Sequence, residues 1–107
     1  MIADSSFLIA LFHQDDEFHA TAVSELASSD VNIVVPDRIV EELLTVFSYR
    51  NGWDYALSIL AKIRANRRFE IRRLSENDWE AVIGMSASMG KKISFADYAV
   101  LYLSSAE

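Results

Sequence analysis

Met1-Ile2-Ala3-Asp4-Ser5-Ser6-Phe7-Leu8-Ile9-Ala10-Leu11-Phe12 is the stretch on which the reading of the chain turns. An apolar lead runs into one aspartate and two serines, and a second apolar run follows at once. Polar residues between two apolar runs predict a short buried strand, a turn and a buried helix. Ser5 or Ser6 is placed to cap that helix by accepting its free backbone N–H groups. Asp4 then falls at the end of the strand, where open α/β sheets hold their ligand sites. A carboxylate beside this much apolar surface needs compensation, because an unpaired buried charge is costly. A metal ion, a basic side chain or the positive end of the helix can supply it.

Working outward, the polar segment His13 to Glu17 reads as a loop, and residues 18–28 as a second helix. Residues 32–35 are short and β-branched and precede the one proline, which fits a buried strand. Pro36-Asp37 opens a third helix, in which Ile39, Val40, Leu43, Leu44, Val46 and Phe47 recur at helical spacing and Asn51-Gly52 marks the end. A fourth helix is predicted over residues 53–65 and an inner or edge strand over residues 69–74. Ser75 to Asp78 then has the polar start of a further helix, which Gly90 breaks, and a last helix runs from Phe95 to about Ser105. Strands alternating with helices predict an α/β fold with a small central parallel sheet covered on both faces. At 107 residues, without a linker or repeat, 1–107 reads as a single domain.

Composition narrows the function. With no cysteine, disulfides and thiolate metal sites are excluded. No apolar run approaches the roughly 18 residues of a membrane span, and no positive leader opens the chain, so a cytoplasmic protein without membrane contact is expected. A net charge of −6 disfavours broad nonspecific nucleic-acid binding. The charge is uneven, however. Lys62, Arg64, Arg67, Arg68, Arg72 and Arg73 make up more than half of the 10 basic residues, and the first thirty residues contain none. An acidic site beside a basic ridge is one reading of this asymmetry; a solvated helix end is the other.

Two acids break the polar pattern. Glu42 has Ile39 three residues before it and Val46 four after, while Asp97 has Ile93 four before and Val100 and Leu101 after. Both share a stripe with apolar residues, whereas Glu41 lies among polar neighbours. Either acid alone is open to a structural role, in an ion pair or at a helix start. Together with Asp4 they make three inward-leaning carboxylates on three elements, which repel unless a cation lies between them. Oxygen ligands without Cys or paired His select a hard ion, Mg²⁺ or Mn²⁺, and such sites serve phosphodiester hydrolysis. His13 and His19 lack zinc spacing and read as loop and helix-surface residues. The aromatics Trp53, Tyr55, Trp79, Phe95, Tyr98 and Tyr102 read as core or interface rather than base-stacking platforms.

The segment Asp4-Ser5-Ser6-Phe7-Leu8-Ile9-Ala10-Leu11 resembles the opening of PIN-domain ribonucleases, especially the VapC-like toxins of toxin–antitoxin pairs. Ile39-Val40-Glu41-Glu42-Leu43-Leu44 resembles the second acidic motif of that family, with Glu42 at the acid. Ile93-Ser94-Phe95-Ala96-Asp97-Tyr98-Ala99-Val100 resembles the third, with Asp97 at the acid. The resemblance implies a PIN-like three-layer fold and a Mg²⁺- or Mn²⁺-dependent endoribonuclease. Asp4, Glu42 and Asp97 would hold the metal and position water, and Ser6 would orient water or a ligand. RNA contacts are expected at Arg64, Arg67, Arg68, Lys91 and Lys92, and the partners implied are an RNA substrate, an antitoxin protein and a second copy of the chain. The family also carries a further strand and a fourth acid after the third motif. None of Val100 to Ala106 can supply that acid. The expectation is therefore either a truncated form without the last strand or a variant with a reduced acidic site, the alternative function being a catalytically impaired protein- or RNA-binding module.

Overall fold

The computed structural model describes residues 1–106. Its elements run α1 (Ser5–Phe12), α2 (His19–Ala27), β1 (Ile33–Pro36), α3 (Asp37–Asn51), α4 (Trp53–Ala65), β2 (Phe69–Arg72), α5 (Glu76–Met89) and α6 (Phe95–Ser105). β1 and β2 pair in parallel, with Ile33 opposite Phe69 and Val35 opposite Ile71. The first residues lie along β1 as well, but form only one parallel bridge, Ile2 to Val34. The Ala3 N–H donates to the Val34 carbonyl at 2.9 Å, and the Val34 N–H donates to the Met1 carbonyl at 2.7 Å. The predicted first strand shrinks to this bridge because Asp4 already caps α1, leaving three residues to pair.

Alternation along the strands separates two cores. Ala3, Ile33 and Val35 face Leu8, Ile39, Leu43, Phe47, Ala56, Ile59 and Ile63, so α1, α3 and α4 cover one face of the sheet. Ile2 packs with Leu74, Val82, Tyr98, Ala99 and Leu103, which places α5 and α6 on the other. The result is the three-layer arrangement expected from the alternation of elements. Gly52, at φ +89°, closes α3 and opens α4, a backbone conformation that a side chain would strain.

Arg68 was expected to meet RNA, but its guanidinium donates to the carbonyls of Leu26 at 2.7 Å and Val31 at 3.2 Å, and to that of Ser29. It ties the connection between α2 and β1 to the start of β2. A half-buried guanidinium facing three carbonyls spends its Nη donors there, while its buried Nε has no partner among the described residues.

Capping boxes start the last two helices, Ser75 with Asp78 and Ser94 with Asp97. Asp78 is buried, and the Ser75 N–H at 2.9 Å holds its carboxyl below the usual aspartate range. Burial works against this lowering, while the Ser75 hydroxyl and Arg72, 3.3 Å away, reinforce it. A lowered native pKa makes the stabilisation complete above the unfolded value, near 3.9, and lost as pH falls through the native one. Asp78→Ala is accordingly expected to lose about 1–3 kcal/mol at neutral pH. The gap to the parent should narrow at about pH 3, which paired urea titrations would show. A gap that stays constant on acidification would exclude the ionised carboxylate as its source.

Candidate active site

Asp4, Asp37 and Arg73 follow the three parallel segments directly, so all three lie at the carboxyl end of the sheet. Asp4 is exposed and is itself the cap of α1, accepting the Phe7 N–H at 2.9 Å. Ser5 and Ser6 are thus inside the first turn rather than at the cap. The donor that needs capping belongs to Phe7, three residues beyond Asp4, which is the reach of an N-cap side chain.

The two serines then diverge. Ser5 Oγ donates to Glu42 Oε1 at 3.2 Å and links the start of α1 to α3. Ser6 is exposed and faces a groove shared with Phe18 and Thr21 on the α2 side. Ser5 is therefore the hydroxyl that meets an acid, and Ser6, expected to orient water or a ligand, stands as an exposed hydroxyl. The sequence signal was the hydroxyl next to Asp4; the crossing of α1 and α3 that selects Ser5 is a tertiary fact.

Glu42 is half-buried on the wall of a cleft of about 480 Å³ between α3, α5 and α6. Ser94, Phe95 and Ala96 line the same cleft and lead directly into Asp97. Asp97, also half-buried, accepts the Ser94 N–H at 3.3 Å and returns its own N–H to Ser94 Oγ at 3.1 Å. The structure thus joins Asp4 to Glu42 through Ser5, and Glu42 to the Asp97 turn through the cleft. Among the described residues, no group of three or more carboxylate or imidazole side chains stands ready to hold a metal ion. Each of the three acids nevertheless commits one carboxylate oxygen to a hydrogen bond with Phe7, Ser5 or Ser94, and among the described residues the other oxygen has no such bond. Carboxylate oxygens of this kind fit a hard divalent cation by donor type.

The remaining wall of the cleft is aromatic. Phe95 stacks on Trp79 with centroids 4.5 Å apart, and the Arg38 guanidinium sits 5.2 Å from the indole centroid. An indole that already carries a ring and a cation has little face left for a base. The histidines are structural as well: His19 Nδ1 donates to the Ala10 carbonyl at 2.7 Å, and His13 stacks beside Phe47. Of the cations expected to meet RNA, Arg64, Arg67, Lys91 and Lys92 are exposed. Arg67 precedes β2 and so lies at the amino end of that strand, away from Asp4.

A family model described as the PIN domain matches residues 1–104. The chain belongs to the PIN-domain family. Within it the fold is VapC-like. VapC20 from Mycobacterium tuberculosis, described as a sarcin-ricin loop cleaving toxin, superposes with a TM-score of 0.84 at 21% identity, over 95% of this chain and 78% of that one. VapBC2 from Rickettsia felis, solved with a DNA fragment from its promoter, aligns with a TM-score of 0.62 at 15% identity, over 92% of this chain and 75% of that one. No curated protein matches the sequence. Among the described residues, no helix is long and apolar enough to cross a membrane.

Proposed function

We propose that this protein is a Mg²⁺- or Mn²⁺-dependent endoribonuclease and the toxin of a toxin–antitoxin pair. In this reading it works in the cytoplasm as a homodimer, cuts structured RNA and is held inactive by a small antitoxin protein. The observation that carries the proposal is the Ser5–Glu42 hydrogen bond, which links the elements bearing the first two acids at the carboxyl end of a parallel sheet. The likeness to a toxin that cleaves the sarcin-ricin loop supports an RNA substrate of related kind.

Asp4, Glu42 and Asp97 hold the metal in this proposal. When bound, the ion lowers the pKa of a water and neutralises charge gathering on the phosphate oxygens. Ser5 fixes one oxygen of Glu42 and leaves the second free to bind. Trp79 and Phe95 make the cleft wall beside Glu42 apolar, which strengthens the charge interactions there.

A second reading, a PIN-like module that binds protein or RNA without cutting, is favoured by the absence of a ready acidic cluster among the described residues. Calorimetric titration with Mn²⁺ near neutral pH separates the two. The parent is expected to bind, and Asp4→Asn to lose binding. Ser5→Ala should weaken it by about tenfold, as removal of a group that orients a ligand does. Ser5→Thr should restore the affinity and Ser6→Ala leave it unchanged. No binding by the parent would exclude the nuclease and leave the binding module.

A further inference from the structure

A second cleft, of about 390 Å³, opens on the other side of Arg38 and Glu41, which also line the cleft holding Glu42. Arg64, from the last turn of α4, and Arg73, just past the carboxyl end of β2, both line this second cleft. Its two acids are already compensated: Arg38 lies 3.6 Å from Asp37 and 3.3 Å from Glu41. Asp37 also accepts the Leu74 N–H at 3.3 Å. Arg64 and Arg73 are exposed, and among the described residues no carboxylate is paired with either. By contrast, Arg72 is paired with Asp78, and Arg68 is bound to carbonyls. Two unpaired guanidiniums in one cleft, on a chain of net charge −6, form a local anion site against an acidic background.

We propose that this cleft holds the backbone of the RNA strand beside the scissile bond, with Arg64 and Arg73 each on one phosphate. The inference rests on the nuclease reading and says where its substrate lies. Continuity selects RNA, because a strand leaving the Glu42 cleft reaches the arginines by crossing the shared Arg38–Glu41 wall. Sheet geometry agrees: Asp4 and Arg73 end segments two strand positions apart, roughly 10 Å across the sheet. A guanidinium fork matches phosphate in two parallel hydrogen bonds, which suits a fixed register on a backbone. The floor between the arginines includes Leu60 and Ile71, which a sugar or base edge can cover. Within the basic ridge, Arg73 thus takes the place expected for Arg67 and Arg68.

The test measures binding of a fluorescent stem–loop RNA with a 12-nucleotide single-stranded loop over a salt series, in an Asp97→Asn background whose cleavage is strongly reduced. Adding Arg64→Gln and Arg73→Gln is expected to weaken binding about tenfold and to reduce the slope of log K against log salt by about 1.4, or 0.7 per phosphate. Arg50→Gln with Lys62→Gln removes the same charge elsewhere and should change affinity by no more than about twofold. The cleft is overturned if its double variant binds like the background, if the control pair falls as far, or if the background binds no RNA. It is also overturned if a 12-residue polyglutamate peptide binds more tightly than the RNA and loses that binding in the same variant, which would assign an acidic protein. Cleavage of the same RNA with Asp97 intact is followed in parallel. Cleavage with unaltered cleft binding overturns the cleft alone, and cleft-dependent binding without cleavage overturns the nuclease alone.

Discussion

Asp97→Asn is expected to lower Mn²⁺-dependent RNA cleavage by a factor on the order of a hundred or more, while the chain stays folded. The size of the loss follows from charge. An amide keeps the shape of the side chain but removes the negative oxygen that would share the ion with Asp4 and Glu42. Retention of the fold follows from the cap: the Asn oxygen can still accept the Ser94 N–H, and the Ser94 hydroxyl still receives the N–H of residue 97. The lost attraction to the helix N-terminus, about 0.3–1 kcal/mol, is offset by relief of repulsion among the acids. Melting without metal should therefore move little. Wild-type cleavage by the variant would remove Asp97 from the site. A collapse of stability with no defect in metal binding would reduce it to a helix cap.

The carboxylates show what a sequence can and cannot convey about such a site. Glu42 was legible because it shares a helical stripe with the buried Ile39. Asp97 was legible only in part, since Val100 packs on the core while Ile93 and Leu101 are exposed. Both acids are half-buried. Asp4 was legible from its place between two apolar runs, although its role as the cap of α1 was assigned to its neighbours. Sequence spacing fixes which residues share a helix face, but not which helices cross. For that reason Ser5 was not separated from Ser6, and Arg73 was not separated from the rest of the basic stretch. Arg68 illustrates the same limit, since its carbonyl partners lie as many as 42 positions away.

Elements were more legible than edges. The helix predicted over 53–65 matches α4, and the last helix matches α6, because Gly52 and Ser94 punctuate them locally. The strand expected over 69–74 ends at Arg72, since Leu74 turns into the second core and its N–H goes to Asp37. Pairing was the least accessible property. That β2 adds to β1 in parallel, and that Met1 to Ala3 contribute only a bridge, depends on where the helices between them pack.

Phe47→Ala is expected to be the most destabilising of these substitutions, at about 3–5 kcal/mol. Phe47 is fully buried on α3, and its ring meets Tyr55 of α4 edge-on with centroids 5.3 Å apart. His13 stacks alongside at 6.3 Å, and the Tyr55 hydroxyl donates to the Phe12 carbonyl at 3.0 Å. One ring therefore joins α3, α4 and the exit of α1, so its removal opens a cavity that three elements must close together. For a domain of this size the loss is a large part of a net stability of roughly 5–15 kcal/mol, and Tm should fall by roughly 15–25 °C. Tyr49→Ala is the matched control: it lies on the same helix but is 87% exposed, and its effect should stay within about 0.5 kcal/mol. Urea unfolding of both variants gives the comparison. A Phe47→Ala cost below about 1 kcal/mol would contradict the close packing of α3 against α4. Because α3 also carries Glu42, loosening at Phe47 is expected to weaken Mn²⁺ binding as well, whereas Tyr49→Ala should leave it intact. That joint loss would tie the metal site to the helix hairpin that positions it.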